Sequence, residues 1–355
     1  MKKVKNVMFR ITIKGNGIVN YDSGEQKNVW KEFKNKKEFD KKNDNYIFAK
    51  KNYYSSSDGE LEYKTKISSD CLRHNIFIDD IPFQSPNIAS VPELLLQFIA
   101  SPAALTRGYF FGVRGDSSIK RSTKLDIIDA EQTNNAISDL EFFSRSGEKN
   151  DTSIFNKETI GNVEYKTNGS IDLEELQFCS CDEKFDRYSF NPDLFPQYKK
   201  ILQTKLKSFN SELGFYKIKG TCIDISEYGF KLSNDDMLSL IKYLFIKILK
   251  LNIKRSKAFA KTDSLEYKLV YDPFEDKLND NEGWITINNL DDINNINFEI
   301  EDHYIKTDTE DSLAIRKTLD DKAKEKKEIK DKENKEKREY IEKKKLEREE
   351  KSKNI

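Results

Sequence analysis

From about Asp311 onward the chain is dominated by charged residues, lysine and glutamate above all, and a stretch with so few apolar residues has no face to bury. Any core must be built from the residues before it, roughly 300 of them, enough for one large or two ordinary domains. Acid–base pairs four residues apart recur in the tail: Glu328 with Lys332, Asp331 with Lys335, Glu333 with Lys337, Glu339 with Lys343 and Glu347 with Lys351. Each is worth only about 0.2–0.5 kcal/mol on an exposed helix. Apolar heptads are missing, so 303–355 is expected to be a solitary charged helix or a disordered tail and not a coiled coil.

Ahead of the tail, the letters alternate like a strand in Val7, Phe9, Ile11 and Ile13 and reach a turn at Gly15-Asn16-Gly17. The polar stretch 21–66 reads as a divergent insertion away from the core. Ser68-Ser69-Asp70 offers capping side chains ahead of a short helix bearing Leu72, Ile76 and Phe77. A second helix is expected over Pro92–Leu105, and a basic strand over Ile119–Asp129. Glycines and an Asn168-Gly169 turn signal suggest a protruding hairpin or mobile loop over 144–170. Ser233-Asn234-Asp235-Asp236 caps the clearest helix, whose Leu240, Ile241, Leu244, Phe245, Ile248 and Leu251 recur at helical spacing. A strand over Leu265–Tyr271 closes the fold. This order predicts an α+β fold, a ferredoxin-like or RNA-recognition-type core over 1–302 with long insertions.

The chemistry on offer is that of binding. Charged residues make up 35% of the chain, above the usual quarter, but Lys+Arg and Asp+Glu balance at 62 each, so nucleic-acid binding has to rest on local clusters. An AT-rich genome raises lysine and asparagine in the same way. Arg73 follows a capped helix start, where amides favour anions. Lys120, Arg121 and Lys124 form a second cluster, and Lys254, Arg255 and Lys257 a third. The ordinary reading of any one such cluster is a solvated face.

Catalysis is poorly supplied. His74 and His303 are the two histidines, which leaves a histidine-dependent nuclease little to work with. Cys71 with His74 and Cys179 with Cys181 match no zinc spacing, so no metal, cofactor or catalytic residue is expected. The four cysteines lack a disulfide framework and fit a reducing cytoplasm. The most apolar run, Val91–Leu105, holds Glu93, Gln97 and two prolines and falls short of the ~20 residues of a membrane span.

Several segments, in consistent order from Val4 to Tyr271, resemble the backbone subunit of the type I-F CRISPR surveillance complex (Cascade), in its compact variant form. They are Ile67–His74, Thr106–Tyr109, Lys120–Thr123 leading to Asp129, Asp151–Phe155, Gly169–Ile171, Glu175–Phe178, Lys184–Arg187, and Asn234–Asp236 with Ile253–Lys257. The resemblance implies a guide-RNA-binding RAMP protein, a palm of RNA-recognition type with a thumb-like hairpin. Copies of it would line up on the guide RNA, beside other subunits, and present the guide to target DNA. Arg73, Lys120 and Arg121 would then be phosphate ligands, joined by His74, Arg107, Lys254, Arg255 and Lys257. Phe155 and Tyr165 would be the thumb wedges, core packing being the competing role for Phe155. Rival classes are an RNA-processing endoribonuclease on the same fold, a stand-alone RNA-binding protein, and a mimic of the backbone subunit. The insertion over 21–66 and the tail depart from the family pattern.

Overall fold

The computed structural model describes residues 2–21, 46–55, 61–80, 92–112, 118–146, 152–182, 187–221, 225–255, 257–278, 281–318 and 321. Two compact units divide them. The first comprises 1–212 and 230–303, the second 213–229 and 304–355.

The first unit is organised by the strand Asn6–Asn16, whose Val7, Phe9, Ile11 and Ile13 are at most 1% exposed, as the alternation predicts. It lies between Val163–Asp172 and Ala258–Val270, antiparallel to both. The sheet continues to Asn252–Arg255 on one side and through Ala130–Gln132 and Leu61–Ile67 to Lys51–Ser55 on the other. Phe9 stands opposite Gly169, where a Cβ would collide with both the Phe9 ring and the Asp126 carbonyl oxygen. Only glycine lets the ring lie across the strand there.

One face of the sheet is closed by the helix Asn234–Leu249. Its capping box joins Ser233 and Asp236, and Asp236, fully buried, also accepts from the Ser208 hydroxyl at 2.5 Å. Met237, Leu240, Ile241, Leu244, Phe245 and Ile248 are all buried, with the Phe245 ring 5.4 Å from that of Tyr267. The other face is polar. Arg10 pairs with Glu266 at 2.5 Å and lies over the Trp284 ring at 4.5 Å. Lys14 reaches Asp263 at 2.8 Å, the residue that the register shift leaves out of the ladder.

Several boundaries differ from the sequence expectation. The helix expected over Pro92–Leu105 is two, Pro92–Ile99 and Pro102–Arg107, because Ser101 caps the second and Pro102 lacks the N–H to continue the first. The basic strand breaks into Ile119–Arg121 and Leu125–Ile127. The segment expected away from the core contributes to it: Leu61–Ile67 pairs with Ala130–Gln132, and Thr65 and Ile67 are buried. The hairpin expected over 144–170 is built of Ser138–Ser146 and Thr152–Ile160. Residues 163–170 belong instead to the sheet strand beside Asn6–Asn16.

In the second unit Gly214–Ile218 pairs antiparallel with the strand beginning at Glu227 and with Tyr304–Lys306. A helix over 309–318 follows. Its Arg316 donates to the Ser226 carbonyl at 2.6 Å and lies over the Phe215 ring at 4.9 Å, and its Ser312 hydroxyl meets that of Ser226 at 3.0 Å. Of the tail expected over 303–355, residues 319–320 and 322–355 lie outside the described residues.

Candidate nucleic-acid interface

Ser68 caps the helix Ser69–Ile76 by accepting from the Cys71 amide, and the Asp129 carboxylate takes the Ser69 amide at 2.8 Å. The Ser69 and Cys71 amides are thus satisfied by the protein itself, and a carboxylate already occupies part of the anion-favouring helix start. Burial pushes the Asp129 carboxyl up, but the Lys66 ammonium at 2.8 Å, the Ser69 amide and the charge of Lys50 hold it below the usual carboxylate range. Lys50 is set beside Lys66 by the bond from the Lys66 amide to the Lys50 carbonyl, 2.9 Å.

The helix gathers arginines that are far apart in sequence. Arg73 is half-buried and pairs with Asp70 at 2.5 Å; His74 beside it is exposed. Arg107, at the end of the Pro102–Arg107 helix, is close enough to feel Arg73: burial, and then the Arg73 charge, lower its pKa. Arg255 is near enough to Cys71 for its charge to be felt there. Burial raises the Cys71 thiol pKa, while Arg255 and Lys50 pull it down. Arg255 likewise opposes the burial that pushes Tyr21 up to about 12. Lys254 and Lys257 are exposed on either side of Arg255. The outcome is that the charges of Arg73, Arg107, Lys50, Lys66 and Arg255 are felt at or next to one short helix.

Two expected ligands are elsewhere. Arg121 is 6% exposed, and its guanidinium donates to the carbonyls of Leu105 at 3.1 Å, Phe178 at 3.0 Å and Leu176 at 3.4 Å. A guanidinium spent on three internal carbonyls has no donor face turned to a phosphate, so Arg121 is corrected to a core anchor. Tyr165 is 2% exposed in the sheet, its hydroxyl 3.4 Å from that of Thr65, which removes it as a wedge between bases. Phe155 lies on the hairpin strand opposite Phe143; its side chain is outside the described residues. Lys124 is also internal, paired with Glu175 at 2.5 Å. Lys120 is half-buried and opposite Phe110, a ring 68% exposed and so open to stacking.

Lys50, Lys66, Lys157 and Phe110 were not singled out by sequence reasoning. In a chain with 62 Lys and Arg residues, a lysine in a polar stretch carries no local mark of its neighbours. Among the described residues no group of His, Cys, Asp and Glu is arranged to hold a metal ion, and no helix is long and apolar enough to cross a membrane.

A family model described as type I-Fv CRISPR-associated protein Cas7fv-like matches residues 3–304. Two solved structures are similar at low identity. One is described as a CRISPR RNA-guided surveillance complex, aligned at 8% identity and a TM-score of 0.34 over 74% of this chain and 68% of that one. The other, such a complex in a pre-nicking state, aligns at 7% identity and a TM-score of 0.35 over 74% of this chain and 77% of that one. No curated protein matches the chain.

Proposed function

The chain belongs to the Cas7fv-like family of type I-Fv CRISPR-associated proteins, and on that premise we propose that it is a non-catalytic backbone subunit which clasps guide RNA and lines up with further copies of itself along it. The observation that supports this reading is that Arg107 is near enough to Arg73, and Arg255 to Cys71, for their charges to be felt at the Ser69–Ile76 helix, which itself carries Arg73. Phosphate contacts of this kind hold a strand in place without reading its sequence, as a variable guide requires. Phe110 opposite Lys120 adds a stacking ring beside a cation. Arg73, His74, Arg107, Lys120, Lys254, Arg255 and Lys257 are the proposed RNA contacts.

The strand order of the sheet, with Asn6–Asn16 between Ala258–Val270 and Val163–Asp172, supports reading the first unit as a ferredoxin-like palm. The hairpin of Ser138–Ser146 and Thr152–Ile160 supports reading as its thumb. Target DNA would be met through the guide, by base pairing.

The test is mass measurement on spacer-length single-stranded RNAs of increasing length. The number of copies bound should grow with RNA length, with no dependence on sequence and no cleavage in magnesium or zinc. A single copy bound whatever the length would overturn the repeating-subunit reading. Cleavage that survives repurification and disappears in His74→Ala would move the protein to the nuclease class.

A further inference from the structure

At the root of the hairpin, where it meets the sheet, is a cleft of about 290 Å³ lined by Asn16, Tyr21, Glu141, Lys157, Gly161 and Lys257 among others. Its walls are held in place: the Gly17 amide donates to the Ile160 carbonyl at 2.6 Å, the Asn16 side chain accepts from the Asn162 amide at 3.2 Å, and Tyr21 is bridged to Ala49. Lys157 lies over the Tyr21 ring at 4.4 Å. Lys257 lines the same cleft on a backbone with φ of 61°, the left-handed region that a lysine occupies only at a cost. Glycine would fit this turn without strain. A long cation held there at a conformational cost, in one small cleft with a second cation whose pKa its charge lowers, favours an anion in the cleft.

We propose that this cleft is a nucleotide-sized site, in which Lys157 and Lys257 hold a phosphate, the Tyr21 ring flanks the sugar or base, and the Glu141 carboxylate accepts an N–H from the base edge. Its volume is at the small end of the about 300–1,000 Å³ typical of ligand pockets, room for one nucleotide and not for a stacked strand. Burial lowers the Lys157 pKa, Glu141 raises it and Lys257 lowers it again. A phosphate between the two ammonium groups relieves both the desolvation and the repulsion. Glu141 supplies selectivity: a carboxylate accepts from the exocyclic amine of cytosine, whereas the one donor on the uracil edge, its ring N3–H, is flanked by two carbonyl oxygens that repel the carboxylate. The nucleotide is either free or one unit of a bound strand. In the second case the site rests on the RNA-binding reading and adds a preference for cytosine at one position to phosphate contacts that otherwise ignore sequence.

Calorimetric titration of the full chain with CMP, UMP, inorganic phosphate and, separately, a spacer-length RNA tests the site. CMP should bind more tightly than UMP or phosphate. Lys157→Ala and Lys257→Gly should each weaken CMP about tenfold, the scale of a lost charged hydrogen bond, and Glu141→Gln should erase the preference for CMP over UMP. Lys257→Gly relieves the backbone and should melt at the same temperature as the parent or higher, which separates lost binding from lost folding. Absence of any monophosphate binding, or CMP affinity unchanged in both lysine variants, overturns the site. Competition of RNA with CMP, with both weakened by the same variants, assigns the nucleotide to a strand; loss of CMP alone assigns it to a free nucleotide. CMP binding as expected in a parent that binds no RNA would sink the RNA-binding reading and leave the cleft standing.

Discussion

The Lys51 ammonium lies 2.6 Å from a Glu158 carboxylate oxygen, and the two side chains are only 1% and 5% exposed. The other Glu158 oxygen accepts from the Ala49 amide at 2.9 Å, and the ammonium sits 4.1 Å above the Tyr63 ring. This pair ties the sheet edge Lys51–Ser55 to the hairpin strand Thr152–Ile160. Because side chains alternate along a strand, turning Glu158 inward turns its neighbour Lys157 to the other side, toward Tyr21.

Removing one partner strands a buried charge, which costs about 3–5 kcal/mol. Lys51→Met and Glu158→Leu should each lower stability in urea denaturation by that order, and the double variant should recover most of the loss. A double variant as unstable as the sum of the singles would mean that the two side chains do not act as a pair.

Arg73 and Arg121 should separate cleanly. Arg73→Ala and Arg107→Ala should weaken single-stranded RNA and reduce the slope of log K against log salt by about 0.7 for each phosphate no longer neutralised. Arg121→Ala should leave that slope alone and lower stability instead, since three buried carbonyls lose their donor. Salt titrations of binding beside thermal melts check both halves. A flattened slope in Arg121→Ala would return that residue to the RNA face.

Stability should rise on the alkaline side. Burial first and the Arg121 charge second bring the Lys124 pKa from 10.5 to about 8, against the pull of Glu175. Glu175 is held below its ordinary value because the bonds from Lys124 and Ser122 outweigh its own burial. With the folded pKa of Lys124 below the unfolded one, the unfolded chain holds the extra proton between pH 8 and 10.5, so folding gains with pH across that window. Buried Tyr165, raised from 10.0 to about 12, acts oppositely above pH 10. Denaturation midpoints should therefore climb from about pH 7.5 to about 9.5 and then fall, and Lys124→Met should flatten the climb.

Two truncations should behave differently. A chain ending after Asp321 keeps Ser312 and Arg316 on Ser226 and Phe215, and should melt like the parent and still form RNA-dependent oligomers. One ending after Thr309 loses those interactions and should melt earlier. Oligomers lost on removing 322–355 alone, with melting unchanged, would make the tail part of the interface between copies.

Determined by the sequence alone were the features set by neighbours a few residues apart: the alternation of Val7, Phe9, Ile11 and Ile13, the Ser233–Asp236 cap and the helical spacing of Leu240 to Ile248. Tertiary structure decided which members of the basic clusters face outward. Arg73 and Arg121 look alike as letters, yet one ends beside Arg107 and the other among carbonyls of Leu105, Leu176 and Phe178. The strand Leu61–Ile67 reads as polar because, of its described side chains, Thr65 and Ile67 alone are buried, and its place in the sheet comes from pairing with Ala130–Gln132. Tyr165 lies between Gly161 and Gly169 in sequence, in a stretch that reads as a turn, and is buried on a sheet strand in space. A local pattern specifies a local conformation, whereas burial and charge pairing depend on residues brought together from distant parts of the chain, and no pattern within one stretch carries that information.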